Sequence, residues 1–172
     1  MSDFVRPRPI TPEDDCAGFS CGDLSLDSWI QLRALKNEKA GASRTFISIE
    51  RDSRAIAGYY CLSASALARE NATPGLRANM PDPIPMILIG RLAVDAKFTG
   101  QGLGFSLLQD ALSKGIEASR TVGARAFVVH DLNDSAESFY RKFGFALIPE
   151  SARVMYIRIS DAEATVVAMQ RA

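Results

Sequence analysis

The sequence predicts a mixed α/β domain, and three observations predict it. Two apolar runs of strand length stand at residues 86–94 and 125–130. Between them Leu103, Leu107, Leu108, Ala111, Leu112 and Ile116 fall at helical spacing. Ahead of both, an alternating segment, a polar turn and a second apolar run have the pattern of a β-hairpin. Strand, helix, strand and helix in succession argue for a mixed sheet.

In chain order, residues 23–40 read as one helix, capped by Asp23 or Ser25, with Leu24, Trp29, Leu32 and Leu35 as its apolar stripe. In 44–50, Thr45, Ile47 and Ile49 alternate with Phe46 and Ser48, and the turn 51–54 leads into 55–63. Residues 69–85 hold Pro74, Pro81, Pro83 and Pro85 and are expected to form a long loop of the kind that shapes a cleft. The run 86–94 is expected to be a strand covered on both faces, with Gly90 marking a bulge or bend. Asp134 and Glu137 form a capping-box pattern that opens a helix through Phe143, stopped by Gly144. Residues 145–148 and 154–159 complete the strands. With no repeat or linker, 1–172 reads as a single domain.

Composition narrows the function classes. Twenty basic and twenty acidic side chains cancel, so no global field draws the chain to nucleic acid or membrane. Locally, acidic residues dominate 13–27, whereas Arg33, Lys36, Lys39 and Arg44 face Glu38 alone in the next stretch. Without a partner, that reversal reads as two solvated faces. Cys16, Cys21 and Cys61 show no paired motif, and His130 is the single histidine, so a zinc site of the usual ligand set is not expected. No apolar signal core or membrane-length run is visible, and a reducing cytoplasm is the expected setting.

The segment Phe98-Thr99-Gly100-Gln101-Gly102-Leu103-Gly104 carries the most chemistry. Alternating glycines before a helix let backbone N–H groups converge on an anion, with the helix N-terminus adding partial positive charge; by itself the segment also reads as no more than a tight turn. No Lys-Ser/Thr follows, which excludes a nucleoside-triphosphate loop, and the spacing also fails the dinucleotide pattern.

The run Gly90-Arg-Leu-Ala-Val-Asp95, then Gly100-Gln-Gly-Leu-Gly104, Asn133 and Phe139-Tyr-Arg-Lys-Phe-Gly-Phe145 together resemble the GNAT N-acetyltransferase superfamily. Phe19-Ser-Cys-Gly-Asp23, Leu26-Asp-Ser-Trp29 and Ser43-Arg-Thr-Phe46 narrow the resemblance to toxin acetyltransferases of the TacT/AtaT type. The resemblance implies a central, mostly antiparallel sheet splayed at an acetyl-CoA site and flanked by helices. It implies acetyl-CoA as co-substrate and aminoacyl-tRNA as acceptor, with a ribbon-helix-helix antitoxin and a homodimer as partners. Leu92, Ala93 and Val94 would hold the pantetheine arm and polarise the thioester. Thr99, Gly100, Gln101, Gly102, Leu103 and Gly104 would form the diphosphate loop, with Thr99 where the family usually has Gln or Arg. Asn133 would lie near the pantetheine, and Tyr140 would protonate the leaving thiolate.

Several residues keep a second reading. Ala136, Phe139, Tyr140 and Phe143 are spaced i, i+3, i+4, i+7, and on spacing alone Tyr140 reads as core. Arg91 reads as a strand-edge salt-bridge partner or as a contact for the acceptor; Arg33 and Lys36 are the other acceptor-side candidates. Cys61 reads as a buried hydrophobe before a nucleophile, and His130 as an ordinary hydrogen-bonding residue. A small amine or protein N-terminus as acceptor, and a non-catalytic acyl-CoA-binding module, remain as alternatives.

Overall fold

The computed structural model describes residues 3–130 and 132–172. The elements are β1 (Arg8–Pro9), α1 (Leu24–Leu32), α2 (Ala34–Ala40), β2 (Arg44–Ile49), β3 (Ile56–Leu67), α3 (Pro74–Arg77), β4 (Ile84–Val94), α4 (Leu103–Val122), β5 (Ala126–Val129), α5 (Asp134–Lys142), β6 (Ala146–Leu147), β7 (Met155–Arg158) and α6 (Ile159–Gln170). The strands form a mixed sheet in the order β1-β2-β3-β4-β5-β7-β6. Among the described pairings β4–β5 is parallel, and β1–β2, β2–β3, β5–β7 and β6–β7 are antiparallel. No helix is long and apolar enough to cross a membrane. The chain divides into two compact units, residues 3–63 with 91–111 and residues 64–90 with 112–172.

In the first unit the β2–β3 hairpin stands where the alternation predicts it, with Arg44 opposite Leu62 and Ile47 opposite Tyr59. Its core gathers Ile10, Phe19, Ile30, Ile47, Ile49, Ile56, Tyr59 and Ala93. Each large side chain fully withdrawn from water there contributes about 1.5–3 kcal/mol. The helix expected over 23–40 is two helices meeting at Arg33, and Gly41, in the left-handed region at φ 73°, closes the second. Half of the predicted stripe stands: Trp29 and Leu35 pack against the core cluster, whereas Leu24 and Leu32 are 82% and 65% exposed and Asp27, Ile30 and Ala34 face inward. The physical reason lies in Asp27, whose carboxylate accepts the Cys21 N–H at 2.8 Å and so tolerates burial. Asp23 is the cap, taking the Ser25 N–H at 2.9 Å.

The part of β4 in the second unit, up to Gly90, pairs with β5 from Met86↔Ala126 to Leu88↔Val128, and residues 91–94 belong to the first unit. No residue of β4 is exposed: Ile84, Met86, Ile89 and Ala93 are buried, and Ile87, Leu88, Leu92 and Val94 are half-buried. Within the predicted loop, Thr73 caps the short helix α3, with Pro74 in its first turn. The cap of α5 is Asn133 rather than Asp134, its Oδ1 accepting the Ala136 N–H at 2.8 Å. The expected strand 154–159 stops at Arg158, and a helix that sequence periodicity did not anticipate, α6, comes next. Its buried residues Ala162, Val166 and Met169 carry the helical period. Gly115 on α4 faces Phe127; a methyl there would lie 2.1 Å from that ring, so only glycine permits this approach.

Candidate active site

On the first unit, Leu92, Ala93 and Val94 end β4, and Asp95 fixes the turn beyond it. This carboxylate, 1% exposed, accepts the Ser20 N–H at 3.0 Å and the Lys97 N–H at 2.9 Å, while its own N–H donates to Ala57 O at 2.8 Å. A short turn over Ala96–Phe98 leads into the glycine segment, where the Thr99 hydroxyl donates to Ala96 O. Gly100 and Gly102 have φ of +76° and +80°, conformations that side-chain-bearing residues adopt at a cost. Nothing lies within 4 Å of a methyl built on either glycine. Thr99 to Gly102 are exposed, Gly104 is half-buried, and the Leu103 side chain is buried, so Leu103 offers the site only its main chain. An open glycine turn ahead of a twenty-residue helix fits an anion such as a coenzyme diphosphate.

The same unit carries an aromatic stack. Trp29 lies parallel to Tyr59 with centroids 5.9 Å apart and 6° between planes, and Phe19 meets Tyr59 edge-on at 5.3 Å. The Arg91 guanidinium sits 5.7 Å from the Trp29 centroid. The Arg33 N–H donates to Trp29 O at 2.8 Å, so Arg33 comes one turn later, with Lys36 beyond it; both side chains are exposed. Arg44, by contrast, is engaged with Glu38, donating to its carbonyl at 2.9 Å and lying 3.6 Å from its carboxylate.

On the second unit Asn133 and Tyr140 belong to one short helix. Asn133 is exposed, with its oxygen used as the cap. Tyr140 is 5% exposed, its ring 5.3 Å from Phe139 and 5.0 Å from Phe145, as core spacing predicts. His130 is exposed at the end of β5.

The other tyrosines are committed elsewhere. Tyr59 donates to Leu26 O at 2.7 Å, Tyr60 donates to Asp110 at 2.5 Å, and the Tyr156 hydroxyl lies 3.3 Å from that of Thr73. Burial raises the Tyr59 phenol far above its usual value, and burial together with Asp110 does the same for Tyr60. Cys61 is 3% exposed. Burial lifts the Cys16 thiol and raises Cys21 to about 11, so neither is a ready nucleophile.

A family model described as "Acetyltransferase (GNAT) family" matches residues 13–145. The chain belongs to that family. It is an N-acetyltransferase, with acetyl-CoA as its co-substrate. A curated relative, the "tRNA-acetylating toxin" of Mycobacterium tuberculosis (strain ATCC 25618 / H37Rv), is 42% identical over 166 residues, covering 96% of this chain and 99% of the relative. Among solved structures, AtaT complexed with acetyl-methionyl-tRNAfMet superposes with a TM-score of 0.84 at 26% identity, covering 94% of this chain and 98% of that one. A tyrosine-to-phenylalanine mutant of the toxin AtaT, bound to the C-terminus of the antitoxin AtaR and to acetyl-CoA, matches at 0.79 and 26%, covering 95% and 98%.

Two residues of this acetyltransferase escaped the sequence pattern. Trp29 and Asp95 stand in the segments that carry the resemblance, but neither is singled out there as a site residue. A tryptophan in a helix otherwise rich in polar residues, and an aspartate two residues before a backbone N–H, were the available signals.

Proposed function

We propose that this acetyltransferase is a toxin that moves the acetyl group of acetyl-CoA onto the α-amino group of an aminoacyl-tRNA, and so blocks translation. The end-to-end 42% identity with a tRNA-acetylating toxin carries this reading. The open glycine turn supports it from the chemical side.

Acetyl-CoA supplies an activated acyl carbon and a thiolate leaving group. Main-chain amides from Gly100 to Gly104, with the N-terminus of α4, bind its diphosphate. The backbone of Leu92, Ala93 and Val94 holds the pantetheine arm and polarises the thioester carbonyl. Asn133 contributes its amide NH2 on the pantetheine side. The acceptor nitrogen bonds to the acyl carbon, the carbon–sulfur bond breaks, Tyr140 gives its phenolic proton to the sulfur, and the amine's surplus proton leaves to solvent. Solvent then restores the phenol. A phenol near pKa 10 donating to a thiolate near 8.5 is uphill by only about 2 kcal/mol. About a tenth of an α-amine is neutral at pH 7 and an aminoacyl ester titrates lower still, so little help from a general base is needed.

Arg33 and Lys36, exposed at the α1–α2 junction, face the nucleic-acid backbone in this reading. The protein acts in the cytoplasm as a homodimer, held in check by a ribbon-helix-helix antitoxin. Light scattering and co-expression with the neighbouring reading frame test those two points. The decisive experiment incubates the protein with labelled acetyl-CoA and charged total tRNA, followed by mass spectrometry of the aminoacyl ends. Acetylated α-amines are expected; label confined to proteins or polyamines would overturn the assignment.

A further inference from the structure

We propose that Arg91, held against the Trp29 indole, grips a phosphate of the acceptor and so restricts the reaction to amines carried on a nucleic-acid strand. The proposal rests on the aminoacyl-tRNA reading and adds a specificity-determining residue to it. Arg91 lies two residues before Ala93, and strand alternation puts it on the face of Ala93, which is buried in the core cluster against which Trp29 packs. The stack beneath it is stiff: Trp29 lies parallel to Tyr59, which is fully buried and anchored through its hydroxyl to Leu26 O. A guanidinium over an indole is held through its charge and retains N–H donors for an oxyanion.

Arg91 is half-buried, and among the described residues no carboxylate lies within ion-pair distance of it. Asp23 is close enough to sense its charge, but it lies beyond ion-pair distance and its Oδ1 serves as the cap for Ser25. A partly desolvated guanidinium that no described carboxylate ion-pairs favours an anionic ligand over a protonated small amine. Arg33 and Lys36 extend positive charge along the same helices, as a phosphodiester chain requires and a free amine does not.

The test compares two acceptors, charged tRNA and the methyl ester of the same amino acid, for the wild type, Arg91→Gln and Arg91→Lys. Arg91→Gln is expected to raise KM for charged tRNA at least ~10-fold more than KM for the ester. It should also flatten the dependence of log KM on log salt by about 0.7, one phosphate contact on a single strand. Arg91→Lys should retain the salt slope with an intermediate KM, because charge persists and the guanidinium is lost. Equal changes for both acceptors, an unchanged salt slope, or weaker acetyl-CoA binding by calorimetry would each overturn the assignment. Should Arg91→Gln not fold, Arg91→Lys alone decides, since tRNA kinetics identical to wild type would exclude a planar phosphate clamp. If the wild type leaves charged tRNA unmodified, the parent reading fails and the clamp with it. If the wild type acetylates tRNA and Arg91→Gln does so equally well, the clamp alone fails.

Discussion

A single methyl group at Gly58 measures how tightly the acyl-donor side of the first unit is built. In Gly58→Ala the new Cβ would lie 2.8 Å from Leu107 Cδ1, 3.0 Å from the Ala93 carbonyl oxygen and 3.2 Å from Leu103 Cδ2. Restricting the unfolded chain favours the alanine variant by about 0.4–1 kcal/mol. Against this, overfilling a packed site costs about 1–3 kcal/mol, and neither neighbour yields readily: Leu107 is fully buried, and Ala93 O is main chain. The clash wins, leaving a net loss of about 1–2 kcal/mol. For a chain of this length that lowers Tm by roughly 2–8 °C. In the proposed site Ala93 belongs to the strand that holds acetyl-CoA and Leu103 opens α4, so affinity for the coenzyme should fall several-fold as well. Differential scanning calorimetry and coenzyme titration read the two effects. Unchanged Tm together with unchanged affinity would refute the close approach of β3, β4 and α4. Gly100→Ala offers the contrasting case, since no atom crowds its Cβ but φ is +76°. Its cost of about 1–2 kcal/mol is backbone strain in a surface turn, so coenzyme binding should suffer more than Tm.

Tyr140→Phe should lower kcat by about 10²- to 10⁴-fold while coenzyme binding and Tm stay near wild type; full activity in a single-turnover assay would remove this phenol from the chemistry. Asp95→Ala orphans the Ser20 and Lys97 N–H groups and should cost about 3 kcal/mol, whereas Asp95→Asn keeps one acceptor and should cost about half; equal urea midpoints for the two variants would contradict this accounting. Burial raises the folded Cys21 thiol to about 11. Its stabilising contribution is therefore complete below the ordinary thiol pKa and fades as pH climbs toward 11, because the unfolded chain sheds that proton first. Urea midpoints of Cys21→Ser should accordingly be less sensitive than wild type to alkaline pH, and iodoacetamide should label Cys21 slowly at pH 8.

The hairpin, β4, α4 and α5 were legible because their periodicity is strong and their ends carry glycine or capping residues. The full phase of α1 was not, because the deciding interaction is a buried carboxylate meeting a main-chain N–H, and hydrophobic counting assigns aspartate to solvent. The C-terminal helix was lost to the β-branched Val154–Ile159 stretch, where strand propensity carries no mark of the switch after Arg158. For the site, the glycine turn announced itself through composition. Arg91, open in the sequence to a salt-bridge or an acceptor role, acquires a definite setting only where Trp29 comes beneath it from a helix some sixty positions earlier.

The Asp95 carboxylate knots together two lengths of chain to which the proposed function gives different tasks: the approach to α1 at Ser20, on the acceptor side, and the run toward the glycine turn at Lys97, on the coenzyme side. Slack in that knot propagates to both at once, so donor and acceptor affinities are not independently adjustable from this end of β4. A lineage that retunes which charged tRNA it attacks is thereby steered to the far side of the fastening, toward Trp29, Arg33 and Lys36, where residues can drift without disturbing the grip on the coenzyme.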